Sequence, residues 1–306
     1  MKILITGYNG FVGTNLREYL YSHQIVTVGR GKNVTTLGCT WETLDSCGHI
    51  DSIIHLAGKA HDTKGASTEK EYLDVNFGLT KAIFDYFMQS KASKFIFLSS
   101  VKAVADVVNT ELVEDVVPMP ASFYGKSKLL AEQYIGSRSI PSDKLCYVLR
   151  PCMIHGPGNK GNLNLLYNLV SKGVPYPLAS FSNHRSFLSV ENLCFIIKEI
   201  LERDDILPGT YNVSDDEPLS TTDVVTLLAQ AQNRSPRLLH IPKSLISGFA
   251  RLGDKLHLPL TSERLQKLTE DFVVSNKKIK EAIHKELPLA SREGLLKTAR
   301  SFSEGQ

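Results

Sequence analysis

The sequence has no CxxC pair, no apolar run of the ~18 residues that a membrane-spanning helix needs, and little excess of charge. Each absence removes a class of protein. The five cysteines, at 39, 47, 146, 152 and 194, are odd in number and scattered. They read as reduced thiols and small core residues in a cytoplasmic protein rather than as a disulfide frame or a zinc site. No metal centre is expected. Nothing near Met1 has the length of a secretory h-region. A formal net charge of +3 over 306 residues, with 22% charged residues, is too mild to argue for nucleic acid or an anionic membrane. An anionic small molecule stays open, because local charge decides that. Internal repeats and low-complexity segments are also lacking.

What is present begins at the first turn. "KILIT" is a short apolar run suited to a strand buried on both faces of a parallel sheet. "GYNGFVG" follows, with Gly7, Gly10 and Gly13 spaced three apart. Phe11, Leu16, Tyr19 and Leu20 then recur at helical spacing. Glycines between a strand and a helix suit a phosphate-binding turn. Gly7 allows the tight turn, Gly10 the approach of a pyrophosphate, and Gly13 close helix–strand packing. Phe11 and Val12 open the helix, whose free N–H groups face the phosphates. The spacing is GxxGxxG rather than GxGxxG.

A carboxylate for a ribose 2′-hydroxyl is missing where it is usually found. At the end of the second strand, 25–29, stand Gly29 and then Arg30. A guanidinium there pairs with a 2′-phosphate. We therefore expect NADP(H) in preference to NAD(H). Stacking of Arg30 on adenine, or its exposure to solvent, stays open.

Strands and helices go on alternating. Strand patterns fall at 51–58, 94–100 and 145–151, and helical ones at 67–90 and 121–137. The alternation predicts an α/β fold, a doubly wound parallel sheet with right-handed crossovers. Beyond residue 151 Gly and Pro become frequent. We place a dinucleotide-binding domain at 1–151 and a smaller, mixed, mainly substrate-binding domain at 152–306. A strand near 210–215 rejoins the first sheet.

"FYGKSK" carries Tyr124 and Lys128, an i,i+4 pair on one helix face. A neighbouring ammonium favours the phenolate and so lowers the phenol's pKa. By itself Tyr-x-x-x-Lys is a common surface pattern. Here it follows a glycine turn and a strand ending in Ser99 and Ser100.

With "TGYNGFVG", "IIHLAGKA", "DVNFGLTKAI", "KFIFLSSVKAV", "YGKSK", "LRPCMIHGPG", "HRSFLSVENL" and "YNVSDDEPLS" in order, residues 1 to about 215 resemble the extended short-chain dehydrogenase/reductases, specifically the nucleotide-sugar epimerase/dehydratase group. The resemblance implies a Rossmann-like sheet. It implies that Tyr124 is the catalytic acid-base, that Lys128 binds the nicotinamide ribose, and that Ser100 bonds the reacting sugar oxygen. Ser99 ranks second to Ser100. Leu56, Ala57, Gly58 and Lys59 match the loop along the dinucleotide. Asn76 matches an asparagine that holds the active-site loops, and Pro151 a residue beside the nicotinamide. Asn162 and Arg185 match residues that bind the substrate diphosphate. Lys102 departs from the Thr or Ser that relatives carry two places after the serine.

His155 and His184 stay outside this chemistry because the tyrosine fills the role. Asp215 and Asp216 read as loop or cap residues. No Asp-Glu pair follows Ser100, which disfavours a dehydratase. The resemblance implies reduction of a UDP-4-keto-6-deoxy-N-acetylhexosamine in surface-polysaccharide synthesis. Alternatives are a UDP-sugar 4-epimerase with tightly held NAD, and a non-catalytic dinucleotide-binding protein. Relatives often dimerise through two helices, so a homodimer through the helices of Asn76 and Tyr124 is an expectation.

Overall fold

The computed structural model describes residues 1–29, 38–60, 68–108, 110–159, 161–256 and 261–304. In chain order the strands are β1 (Lys2–Thr6), β2 (Gln24–Gly29), β3 (Cys39–Thr40), β4 (Ser52–His55), β5 (Lys94–Leu98), β6 (Leu145–Pro151), β7 (Met153–His155), β8 (Phe187–Ser189) and β9 (Gly209–Val213). The helices are α1 (Phe11–Tyr19), α2 (Glu69–Tyr72), α3 (Leu79–Gln89), α4 (Phe123–Gly136), α5 (Asn162–Ser171), α6 (Val190–Glu202), α7 (Thr221–Gln230), α8 (Lys243–Leu256), α9 (Ser262–Thr269), α10 (Lys277–Ile283) and α11 (Ser291–Glu304). A π-helical stretch, Leu73–Gly78, joins α2 to α3 without a break.

Seven strands form one parallel sheet in the order β3-β2-β1-β4-β5-β6-β9, and β7 pairs with β8. This is the doubly wound order of a Rossmann sheet, whose direction reverses between β1 and β4. The two-residue periodicity of β1 explains its unbroken hydrophobicity. Ile3 and Ile5 enter one core layer with Leu16 of α1 and Ile196 and Ile200 of α6. Leu4 enters the other with Phe84 and Phe87 of α3 and Ile135 of α4. Two buried lysines sit at the amino-terminal edge of the sheet. Lys94 Nζ donates to the carbonyls of Ile200, Leu201 and Arg203, closing the carboxyl end of α6. Lys144 Nζ does the same for Phe87, Ser90 and Ala92 after α3.

The second part is not cut cleanly from the first. β9 pairs with β6, and α6 packs on the same sheet face as α1. The remainder is mainly helical. Leu163, Tyr167, Leu219, Val224 and Leu295 form one small core, and Leu178, Ile246, Ala250 and Leu265 another.

One expectation fails. Cys39 and Cys47 are joined in a disulfide, with Cα atoms 5.9 Å apart. The turn Leu44–Cys47 folds back beside β3 and brings the two sulfurs together, which a spacing of eight does not advertise. Among the described residues the other three cysteines are buried free thiols. Burial pushes Cys146 and Cys194 up to about 12 and Cys152 well above its ordinary value.

Candidate active site

The carboxyl ends of β1 and β4 meet at the switch point, where ligands bind in open α/β sheets. Gly7 has φ +71°, and a Cβ there would stand 2.7 Å from Ala57 N. A Cβ on Gly13 would stand 2.4 Å from Gly7 O. The first clash presses the glycine turn onto the β4 loop, and the second presses α1 onto the turn. Gly10 caps α1 without a side-chain bond, and the first turn of α1 carries no acid. The amides of Phe11, Val12 and Gly13 therefore lie in the turn whose donors have no helical acceptor. This cradle fits a dinucleotide pyrophosphate.

Behind it runs a buried polar chain. Thr6 Oγ1 meets His55 Nδ1 at 2.6 Å, His55 Nε2 meets Thr80 Oγ1 at 2.9 Å, and Ala57 N donates to Thr6 Oγ1 at 3.1 Å. Burial, with the Lys128 charge adding to it, holds the His55 pKa well below its usual value, so the ring stays neutral. Asn76 is fully buried in the π-helical stretch. Its Oδ1 accepts from Lys59 N at 2.7 Å. Its Nδ2 donates to Lys59 O at 3.1 Å and Ser127 Oγ at 2.9 Å. All its groups are engaged within the protein, so its part is to tie the 57–59 loop to α4. The Lys59 ammonium pairs with Glu71 at 2.8 Å.

The serines and tyrosine singled out in the sequence meet at the end of β5. Ser99 and Ser100 face different partners. The Ser99 hydroxyl donates to Glu132, which takes Arg150 in a two-pronged pair at 2.6 and 3.1 Å. Ser99 is thus held in the protein interior. Ser100 caps the turn Val101–Ala103, accepting from Lys102 N at 3.2 Å, and lies near enough to Tyr124 for its hydroxyl to pull the phenol's pKa down. Gly125 makes that approach possible: a Cβ there would lie 2.3 Å from Lys102 O. Asp106 pins the entry to α4 by accepting from Ala121 N, Ser122 N and Ser122 Oγ at 2.8 to 3.0 Å. Neither Gly125 nor Asp106 was singled out in the sequence, although both lie close to the Tyr124 motif.

Lys128 is buried under the β4 loop. Its Nζ donates to Leu98 O at 2.8 Å and lies 4.8 Å from the Phe97 ring centroid. A Cβ on Gly58 would be 3.2 Å from that nitrogen. Burial lowers its pKa to about 8, against a smaller upward pull from Glu132. For Tyr124 the expected direction is reversed. Burial pushes the phenol up, outweighing the hydrogen bond from Ser100, and Tyr72 adds to the rise. Tyr124 thus holds its proton at neutral pH.

The low Lys128 pKa has a consequence for stability. The unfolded lysine binds a proton up to its ordinary 10.5, while the folded one releases it near 8. The contribution of Lys128 to stability should therefore rise with pH between about 8 and 10.5, by up to about 3 kcal/mol. The buried thiols of Cys146, Cys152 and Cys194, raised in the fold, lower stability over the upper part of that window in both proteins, so the test is the difference: urea midpoints of the wild type should gain on those of Lys128→Met as pH rises from 8 to 10.5, and equal slopes would refute the assignment.

Pro151 ends β6 and pairs with Val213. Arg185 lies against Leu219 and Phe272, and its Nη1 donates to Lys267 O at 2.9 Å. Burial lowers its pKa, with Glu270 and Asp271 opposing. Lys102 Nζ sits 4.3 Å from the Phe272 ring centroid and feels the Arg185 charge. The fold thus brings Arg185 to the flank of the Ser100 turn, with Lys102 between. Arg30, on which the NADP expectation rests, lies outside the described residues, as does the side chain of Asn162. His155 is buried on Thr298 at 2.8 Å, and His184 is exposed beside Asp271. Asp215 accepts from Ser189 N at the start of α6, in keeping with a cap.

Residues 3–214 match the model of the NAD dependent epimerase/dehydratase family. A UDP-glucose 4-epimerase of Vibrio cholerae is 30% identical over 98% of this chain and 95% of its own. Among solved structures, the UDP-glucuronic acid 4-epimerase of Bacillus cereus, in complex with NAD, superposes with a TM-score of 0.76 at 18% identity, covering 99% of both chains. RMD from Pseudomonas aeruginosa, complexed with NADPH, gives 0.74 at 19%, covering 100% of this chain and 99% of its own. Structural neighbours thus hold either NAD or NADPH, and relatives include nucleotide-sugar epimerases and a reductase. With that match across most of its length, and with the glycine cradle and the Ser100–Tyr124–Lys128 constellation in place, the chain is an enzyme of the NAD-dependent epimerase/dehydratase family.

Proposed function

We propose that the protein reduces the C4 ketone of a UDP-4-keto-6-deoxy-N-acetylhexosamine, with NADPH as reductant, in the cytoplasm. The observation that carries this reading is the partly buried Tyr124, its phenol held protonated, set near Ser100 beside the dinucleotide cradle. NADPH, when bound, supplies the hydride to C4. Tyr124 gives its phenolic proton to the C4 oxygen, so the ketone becomes an alcohol. Ser100 steadies that oxygen. Lys128 sits where it can hold the nicotinamide ribose and balance the phenolate left behind. Residues 7–13 and the 56–59 loop hold the pyrophosphate and its neighbouring riboses. Arg185 and Asn162 are assigned to the substrate diphosphate. Arg30 after β2 supports the phosphorylated cofactor.

A second reading is a UDP-sugar 4-epimerase, favoured by the 30% identical relative of that name. It uses the same residues but returns the hydride to the opposite sugar face. Incubation with NADPH and the 4-keto sugar, followed by near-ultraviolet absorbance, separates the two. Stoichiometric loss of absorbance with a 6-deoxy alcohol product supports the reductase. No loss, together with interconversion of UDP-sugars by the purified protein without added reductant, overturns it in favour of the epimerase. A homodimer through α3 and α4 goes with either reading. Phe123 and Leu130 of α4 are exposed and available to it.

A further inference from the structure

The strongest unexplained feature is α8. Its Ile246, Ala250 and Gly253 are buried, the first two in a small core with Leu178 and Leu265. A helix that serves only its own domain needs one apolar face. This one has a second. Leu245, Phe249, Leu252 and Leu256 are 56%, 66%, 46% and 59% exposed. They recur at i, i+4, i+7 and i+11, so they form a single stripe along the helix. Together they expose on the order of 400 Å² of apolar surface, the size at which a patch on a soluble protein marks a contact.

The charge beside the stripe is one-sided. Lys243, Arg251 and Lys255 are exposed on α8 against a single acid, Asp254. Asp254 is itself tied to Ser262, accepting from its N at 2.9 Å and its Oγ at 2.6 Å. Lys255 lies about 60° around the helix from Leu252, and Arg251 one turn before it. On α9, which packs on α8, Leu268 is 49% exposed, and Lys267 is bonded through its carbonyl to Arg185. The Lys267 carbonyl thus ties α9 to the residue assigned to the substrate diphosphate.

We propose that α8 docks the protein on an anionic lipid surface, with the Leu245–Phe249–Leu252–Leu256 stripe entering the headgroup boundary and Arg251 and Lys255 meeting lipid phosphates. An apolar stripe of Leu and Phe rimmed by Lys and Arg is the pattern of a helix that lies in the interface plane. A second copy on the same stripe would bring like charges together, so the rim argues against self-pairing. The whole-chain charge of +3 does not show this local excess; on the neighbouring α9 the acid Glu263 is itself paired with Lys267. Among the described residues no helix is long and apolar enough to cross a membrane, so the contact is peripheral. The proposal is independent of which sugar reaction the enzyme performs.

The test is sedimentation of the full chain with vesicles of phosphatidylcholine alone or mixed with phosphatidylglycerol, at low and high salt. The expected result is binding to the mixed vesicles only, weakened by salt. The pair Phe249→Ser with Leu252→Ser, and separately Arg251→Glu with Lys255→Glu, should each lower the bound fraction about tenfold or more. Both pairs lie on exposed positions, and turnover of soluble substrate should not change. Absence of binding, equal binding to neutral vesicles, or indifference to both pairs overturns the proposal. So does light scattering in which the Phe249/Leu252 pair converts a dimer to a monomer while the wild type ignores vesicles, since the stripe is then an interface between copies.

Discussion

Tyr124→Phe should lower kcat by about a thousandfold while leaving dinucleotide binding intact. The substitution removes one oxygen. That oxygen is the acid proposed to serve the ketone beside Ser100, and burial keeps it protonated at neutral pH. The ring itself stays, edge-on to Tyr72 at 6.3 Å between centroids, so packing should survive. Quenching of protein fluorescence by the reduced nicotinamide would report binding, and single-turnover kinetics the chemical step. Ser100→Ala should cost less, about ten- to a hundredfold, because a water can replace one hydrogen bond but not the tyrosine's proton. A loss of less than tenfold for Tyr124→Phe, with full cofactor binding, would exclude it as the acid.

The largest effect on stability should come from Arg150. Its guanidinium holds Glu132, and both side chains are less than 10% exposed. Arg150→Met should destabilise the fold by about 3–5 kcal/mol, because it leaves a carboxylate buried without its cation. Ser99 alone cannot satisfy it. The double variant Glu132→Gln, Arg150→Met should recover most of that loss, since no charge is then stranded. Urea midpoints for the two variants measure both values. A single variant that loses less than about 1 kcal/mol would show the carboxylate reaching water, against the burial found here. The pair also supports Ser99, the neighbour of Ser100. Turnover should fall in the single variant through kcat rather than KM, and return in the double.

Where backbone pattern alone dictated structure, the sequence could be read closely. "KILIT" and the glycines that follow specify a strand, a tight turn and a helix, because an apolar run buried on both faces and a Cβ-free contact have few other uses. The return of residues 210–215 to the sheet was likewise legible from their β-rich pattern, and β9 spans Gly209–Val213. Strands β3, β7 and β8, of two and three residues, fall below any periodic signal. Partnerships between distant side chains were not legible either. No spacing in the sequence links Glu132 to Arg150, and Cys39 and Cys47 read as unrelated thiols until the fold set each beside its partner. The direction of the Tyr124 pKa was misjudged for a related reason. The i,i+4 lysine is visible in sequence, whereas the burial that outweighs it is a property of the packed site. Residues assigned by resemblance divide the same way. Asn76 proves to be a clamp on the 57–59 loop because the π-helical stretch turns it inward, which no one-dimensional spacing encodes.

The late return of β9 has a consequence for synthesis on the ribosome. When residues 1–151 have emerged, β6 is the outermost strand on its side, and Tyr147, Val148 and Leu149 show unpaired backbone to the solvent. Their proper neighbour lies some sixty residues downstream, beyond α5 and α6, so several seconds of translation separate the two at about 5–20 residues per second. During that interval the nascent chain carries an open, largely apolar strand edge, relieved only by Arg150, of the kind that recruits other chains. A fragment ending at residue 151 would live permanently in that state. The first half of the enzyme therefore cannot close its own sheet, and the edge of β6 stays open until the second half supplies β9.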